Sequence, residues 1–407
     1  MLMSGVTAAG AALLKWGSAG ACGVAAWAVW RGMPDQVIRR RLMTLFRTGN
    51  LYYKIIGYKG RELRNYPLIK RVRLYLDRTE AAFLLPVGMD PSTIEKSEWL
   101  FRQVFGQYAE LSAAEDARTF VMRVYNGPLT TFDYDADKIA ECVRDLALPI
   151  FVGKSRAGDV AYDMVRNPHL LIAGETGGGK SAGVRSVLTT LIRSCGDRLE
   201  LYCADLKASE FHVFKGVARE VVTDERGLAQ ILMLLHREMR KRGETLGRAE
   251  VAHIDDLPEC ERPPYIVLAI DEVALIKGEK KLMAGIEEIS TIGRALGVFL
   301  ILSMQRPDAD VLDGKLKNNL TVRISFRQAD PINSRIAIGS DEAATIQNDE
   351  KGRLVLRLNG LTYVQGPHLD LPVARELLKP YKRNDDQLPL PVPAEDDADI
   401  IEWGVLE

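Results

Sequence analysis

The sequence predicts an α/β protein whose main domain is built on a mostly parallel sheet, with a small α+β module ahead of it and an N-terminal membrane helix. Three observations carry that prediction. Short, nearly continuous apolar runs at 169–173, 199–204, 265–270, 298–304 and 321–326 alternate with longer stretches of helical periodicity. Strands buried on both faces under helices read in this way. A glycine-rich segment follows the first run and opens a helix, and residues 5–30 are almost entirely apolar or small.

The 407 residues allow one large domain or two ordinary ones with appendages. With 47% hydrophobic and 27% charged residues, the chain has material for a large core. The net charge of −1 conceals two opposed blocks. Residues 31–73 hold 12 Lys/Arg against Asp35 and Glu62, and the chain from 385 onward holds 8 acids and no base. The five cysteines are scattered, odd in number and include no C-x-x-C pair, which argues against a disulfide framework or a zinc site and for a reducing compartment. The five histidines lack metal-ligand spacing.

The apolar segment 5–30 is about 39 Å long as a helix, ample for a tilted span. Lys15 lies near its middle and has to pair or sit within a helix bundle. No basic region precedes the segment, so a secretory signal is disfavoured, and Arg31, Arg39, Arg40, Arg41 and Arg47 follow it. The positive-inside rule then keeps the rest of the chain in the cytoplasm, as a single-pass protein of the cell membrane. The alternative is an amphipathic or buried helix packed on a domain. The basic neck likewise has two readings, contact with anionic lipid and guidance of DNA.

Residues 71–86 read as strand, 90–105 as a helix capped by Asp90 or Ser92 with Ile94, Trp99, Leu100 and Val104 on its apolar side, and 108–125 again as strand. The expected organisation is a transmembrane segment (1–32), a basic juxtamembrane neck (33–70), a small α+β module (71–147), a nucleotide-binding α/β domain (148–378) and a Pro-containing acidic tail (379–407).

Gly174-Glu175-Thr176-Gly177-Gly178-Gly179-Lys180-Ser181 fits G-x-x-x-x-G-K-[ST] and sits between a buried strand and a helix that continues through Ala182. Glycines let main-chain N–H groups converge on phosphate oxygens, the helix N-terminus adds positive potential, Lys180 neutralises the β- and γ-phosphates, and the Ser181 hydroxyl binds Mg²⁺. ATP and Mg²⁺ are therefore the expected ligands. The run 265–270 ends in Asp271-Glu272: Asp271 is placed to hold the Mg²⁺ and Glu272 to polarise an attacking water. A helix-capping pair is the bland alternative. Parallel sheets gather their sites at carboxyl edges, which brings in Asp205 and Lys207 after 199–204 and Gln305 after 298–304. Gln305 is expected to sense the γ-phosphate or its water. Asp205 and Lys207 are equally readable as a structural pair.

Together these residues resemble the FtsK/SpoIIIE family of DNA translocases. The match spans about 148–367 and includes Pro168-His-Leu-Leu-Ile-Ala into the loop, Ile270-Asp-Glu272, Gly293-Arg-Ala-Leu-Gly297, Ser303-Met-Gln-Arg-Pro307 and Asn333-Ser-Arg335. Segments 205–211 and 312–323 look like membrane-anchored coupling proteins of Gram-positive conjugative elements, the TcpA-like group. The resemblance implies a RecA-type ATPase domain, a homo-oligomer (a hexamer), and delivery of DNA with its relaxase to secretion-channel proteins. Cell-division members carry several spans, a long linker and a C-terminal winged helix; type VII secretion ATPases carry several ATPase domains in tandem. This sequence shows neither pattern.

A ring motor needs an arginine that completes the neighbour's site. In the expected helix 281–296 the apolar stripe is Leu282, Ile286, Ile289, Ile292 and Leu296, and Arg294 falls about 140° from its centre at about 100° per residue. Arg294 also matches the family's R-A-x-G arginine. Arg242, near the stripe Leu228, Leu232, Leu235, Met239 and Leu246, is the rival. Arg306, Lys315 and Lys317 are candidate contacts to DNA phosphates or ordinary solvated charges. The reading is a DNA-moving ATPase. The alternatives are an ATPase of protein secretion or chromosome segregation, or a non-motor membrane receptor docking the relaxase complex.

Overall fold

A computed structural model describes residues 32–56, 61–75, 78–114, 116, 118–127, 129–312 and 314–383. The apolar segment through residue 31 and the acidic tail beyond 383 lie outside the described residues. Among the described residues no helix is long and apolar enough to cross a membrane.

The chain divides into two compact units, 1–128 and 129–407. Each has its own apolar core. The division falls ahead of the expected 147/148 boundary because the helix Ala136–Val143, capped by the Asp135 carboxylate, puts Ile139 and Val143 into the core of the second unit. Likewise the neck is not a mere connector. Its helix Pro34–Thr48 places Leu42, Leu45 and Phe46 in the core of the first unit.

The first unit contains strands β1 (Tyr53–Ile56) and β2 (Glu62–Asn65), which pair with each other, and β3 (Leu68–Leu74), β4 (Arg78–Leu84), β5 (Ala109–Ala113) and β6 (Thr119–Tyr125). The last four form an antiparallel sheet in the order β3-β4-β6-β5. The segments 71–86 and 108–125 are thus hairpins rather than single strands. The helix expected over 90–105 is two, Pro91–Glu95 and Glu98–Phe105, with Asp90 capping the first through the Ser92 amide. The break rotates the second helix's face: Phe101 is fully buried and Trp99 is 65% exposed.

The second unit holds a ten-stranded sheet in the order β11-β10-β12-β13-β9-β14-β15-β16-β7-β8. Its strands are β7 (Pro149–Ser155), β8 (Gly158–Asp163), β9 (Leu170–Ala173), β10 (Leu199–Asp205), β11 (Glu220–Val222), β12 (Tyr265–Asp271), β13 (Val298–Met304), β14 (Val322–Phe326), β15 (Arg353–Arg357) and β16 (Leu361–Gln365). Six strands, from β11 to β14, are parallel neighbours. Every residue of β12 and β13 is buried, which is why these runs are continuously apolar. The remaining four strands pair antiparallel, an extension that the helical spacing did not announce. Between β15 and β16 the chain turns at Asn359-Gly360, with Gly360 at φ +140°.

Candidate active site

The parallel strands β9, β10, β12 and β13 end on one edge of the sheet, and there the chain leaves β9 through 174–179 into the helix Lys180–Cys195. Gly179 sits at φ +110°, and a Cβ on it would lie 2.8 Å from the Gly352 Cα. A Cβ on Gly174 would lie 2.6 Å from that of Phe326. Only glycine fits at either point, so the loop is pressed onto β14 and the turn before β15. The Glu175 amide donates to Arg327 O (3.1 Å), the Gly352 amide to Gly178 O (3.0 Å), and the Glu175 carboxylate pairs with Arg327. Lys180, Ser181 and Ala182 form the first helical turn, so their amides have no acceptor within the helix. A fixed loop, free amides and a helix N-terminus make an anion cradle.

Around the cradle the polar side chains are already paired. Lys180, 5% exposed, donates through Nζ to Asp271 Oδ1 and Ser303 Oγ, both at 2.8 Å. Ser303 Oγ in turn donates to Asp271 Oδ1 at 2.9 Å. Glu272 follows with φ +56° and ψ +56°, the left-handed region that a non-glycine residue enters at a cost of about 1–3 kcal/mol. The Lys207 ammonium (2.6 Å) and the Gln305 main-chain N–H (3.1 Å to each oxygen) fix its carboxylate. The Glu272 carboxylate is thereby held between the chain ends that follow β10 and β13.

The loop after β10 is built by Asp205. Its buried carboxylate accepts from the amides of Ser209 (3.1 Å), Glu210 (3.0 Å) and Phe211 (2.8 Å). Of the two roles open to Asp205, the structure shows the structural one. Lys207, by contrast, reaches Glu272 rather than Asp205. Glu210, Ser303 and Arg327 are site residues the sequence reading did not single out. Ser303 stands within the quoted Ser303-Met-Gln-Arg-Pro307 stretch, and Glu210 follows Lys207 at the same strand end, so position at a carboxyl edge was the available signal.

Other expected residues are distributed differently. Gln305 meets Glu272 through its main chain, not its side chain. The helix expected over 281–296 ends at Ile292, and Arg294 lies in the following turn, exposed. Arg242 is 4% exposed, with Nε donating to Glu238 (2.9 Å), Nη1 to Leu296 O (2.8 Å) and Nη2 to Pro264 O (2.8 Å). Its donors are committed within the unit, and it clamps the turn that carries Arg294. Arg306 and Lys315 are exposed. Lys317 is half-buried, its ammonium held below the usual lysine range by burial and then by Arg323 and Arg357. Arg323 and Arg357 face each other directly across β14 and β15.

Among the described residues no group of three His, Cys, Asp or Glu could hold a metal by itself. The donor set is what Mg²⁺ arriving with a triphosphate takes: a hydroxyl (Ser181), a carboxylate (Asp271) and the phosphates themselves. The residues present therefore fit Mg²⁺·ATP, and fold and site define a P-loop ATPase.

Residues 143–259 match the family model described as the FtsK/SpoIIIE family. The chain is 34% identical over 212 residues to the DNA translocase FtsK of Helicobacter pylori (strain J99), covering 49% of this chain and 25% of that one. It is 34% identical over 214 residues to the DNA translocase FtsK of Borreliella burgdorferi, covering 49% and 27%. The chain carries an FtsK/SpoIIIE-type ATPase domain, and it spans about a quarter of the length of these relatives. Among solved structures it is similar to the pCW3 conjugation coupling protein TcpA, solved with ATPγS, at a TM-score of 0.58 and 23% identity over 84% of this chain and 99% of that one. It is also similar to the cytoplasmic domain of the type VII secretion ATPase EccC of Thermomonospora curvata, at a TM-score of 0.51 and 22% identity over 57% and 31%.

Proposed function

We propose that this chain hydrolyses ATP to move DNA, and that it does so as a membrane-anchored conjugative coupling protein. The observation that supports the ATPase reading is the contact of Lys180, at the end of the glycine-rich loop, with Asp271 at the end of β12, with Ser181 and Glu272 next to them in the chain. Bound Mg²⁺·ATP supplies the phosphoryl group and a metal charge that offsets its negative oxygens. Gly177, Gly178, Gly179 and the first-turn amides, with Glu175, Thr176 and Ala182 in the same loop and turn, hold the phosphates. Lys180 would hold phosphate oxygens in place of Asp271, and Asp271 would hold the metal. Glu272, held by Lys207 and the Gln305 amide, would orient the attacking water. Arg294, exposed and with a side chain that makes no hydrogen bond or ion pair among the described residues, is the finger that reaches a neighbouring subunit of a ring, taken to be a hexamer.

DNA as cargo is supported by the FtsK relatives and by a cluster of cations. Arg323 and Arg357 stand opposite each other on adjacent strands, an arrangement that is repulsive by itself. Lys317 adds a third charge beside them. A phosphodiester backbone would relieve that repulsion without sequence preference. Conjugation is supported by the extent of the similarity to TcpA, which runs through nearly that whole chain. Relaxase and channel proteins are then the partners.

The test measures ATPase rate with single- and double-stranded DNA across a salt series, for wild type and for K317Q/R323Q/R357Q. DNA should stimulate turnover, the apparent affinity should fall steeply with salt, and neutralising three phosphate contacts should lower the log–log slope by about 2–3. A rate indifferent to DNA but raised by a secreted protein substrate would replace this reading with a protein-secretion motor, the reading the EccC similarity favours.

A further inference from the structure

We propose that Glu210 belongs to the metal site as a positioning residue: it holds the Ser181 hydroxyl proton and so turns that oxygen's lone pairs toward Mg²⁺. The inference rests on reading the cradle as a Mg²⁺·ATP site. The Ser181 hydroxyl donates to Glu210 Oε1. A hydroxyl has one proton and two lone pairs, and an ionised carboxylate only accepts, so the direction of this bond is determined. With its proton committed to Glu210, Ser181 presents only acceptor density to a cation.

No other carboxylate is shown doing this. Asp271 Oδ1 receives both Lys180 and Ser303, and Glu272 is held by Lys207 and the Gln305 amide. Glu210 comes instead from the neighbouring strand's loop, and that loop is rigid where it matters. The Glu210 amide is tied to Asp205 Oδ2, and the next residue, Phe211, is 1% exposed. Its second oxygen, Oε2, lies 3.8 Å from Arg185 Nη2, and Arg185 is itself fixed by donating Nη1 to Leu369 O at 2.6 Å. Both carboxylate oxygens are thereby aimed, one at the metal-binding hydroxyl and one at a cation anchored elsewhere. Mg²⁺ in nucleotide sites takes few protein ligands, so an outer carboxylate that orients one of them carries a large share of metal affinity. Its negative charge also favours the cation while doing nothing for the bare triphosphate.

That asymmetry makes the role measurable without turnover. A fluorescent ATP analogue is titrated onto the full chain by anisotropy in EDTA, and then across a Mg²⁺ series, for wild type, Glu210→Gln and Glu210→Ala. Both variants should bind the metal-free analogue as well as wild type or slightly better. Both should need at least about tenfold more Mg²⁺ for half-maximal effect, the loss typical of an outer-shell partner. An unchanged Mg²⁺ requirement in either variant, or equal losses with and without metal, overturns the proposal and leaves Glu210 as a packing residue. If Glu210→Ala does not fold, Glu210→Gln, which keeps the shape but loses the negative charge and the charge-assisted bond to Ser181, decides alone. Wild type that binds no nucleotide with or without Mg²⁺ overturns the site reading and this inference together. Normal metal titrations beside a DNA-indifferent rate would sink the motor reading only.

Discussion

Replacing Arg242 by Met removes a buried cation while roughly keeping its volume, and the structure says what is left behind. The carbonyls of Leu296 and Pro264 lose their 2.8 Å donors and Glu238 loses its partner. Each buried acceptor left unpaired costs about 1–3 kcal/mol, and breaking a buried pair from one side costs about 3–5 kcal/mol. A loss of about 4 kcal/mol is expected, less whatever Glu238, 31% exposed, recovers by turning to water. At about 2–4 °C per kcal/mol for a unit of this size, thermal unfolding of the full chain should shift down by about 8–16 °C. Arg294→Met, at an exposed turn, should stay within about 0.5 kcal/mol, or about 2 °C, of wild type. Hydrolysis should divide the two in the opposite sense. Arg294→Met should fold normally and fail to turn over, and mixing it with Glu272→Gln subunits should restore some sites. An Arg242→Met protein that melts like wild type yet hydrolyses nothing, and recovers on mixing, would refute this division of labour and return the finger to Arg242.

Two further outcomes follow from the geometry. Gly179→Ala forces a Cβ to within 2.8 Å of the Gly352 Cα at φ +110°, so the cradle must shift; calorimetric ATP affinity should fall at least about tenfold while thermal stability drops by about 1–3 kcal/mol. His169 is 1% exposed, its Nδ1 accepts from the Leu300 amide (3.0 Å), and burial pulls its pKa down to about 4. The unfolded chain takes up this proton near pH 6.5 and the folded one only near 4, so the contribution is complete above pH 6.5 and is lost as pH falls toward 4. That loss is about 3 kcal/mol, and denaturant titrations at pH 7 and pH 4.5 should show His169→Gln less acid-sensitive than wild type by most of it.

Much of the site was readable before any fold was known because its chemistry is local. Gly174 to Ser181 is a contiguous backbone device, and Asp271-Glu272 marks a strand end that periodicity alone locates. The five apolar runs became β9, β10, β12, β13 and β14 because strands covered on both faces have no polar side to betray. The antiparallel β15 and β16 were legible in principle from the apolar runs on either side of Asn359-Gly360, but they carry no helix between them and so broke the expected rhythm. In the first unit the alternation of 71–86 marked strand correctly, yet the turn inside it was weak in sequence and the hairpin went unread.

Pairings that cross the sheet belong to a different category. Ser181 with Glu210 spans 29 residues, Lys207 with Glu272 spans 65 and Lys180 with Ser303 spans 123. Helical periodicity set Arg294 off its apolar stripe and Arg242 near its own, but it could not show that Arg242 spends its donors on the carbonyls of Leu296 and Pro264. The sequence determined that a triphosphate-binding loop and two carboxylates exist, because each is encoded by neighbours along the chain. Only the tertiary structure decided which charges neutralise one another, because strand order, not residue order, sets the distances over which charge acts.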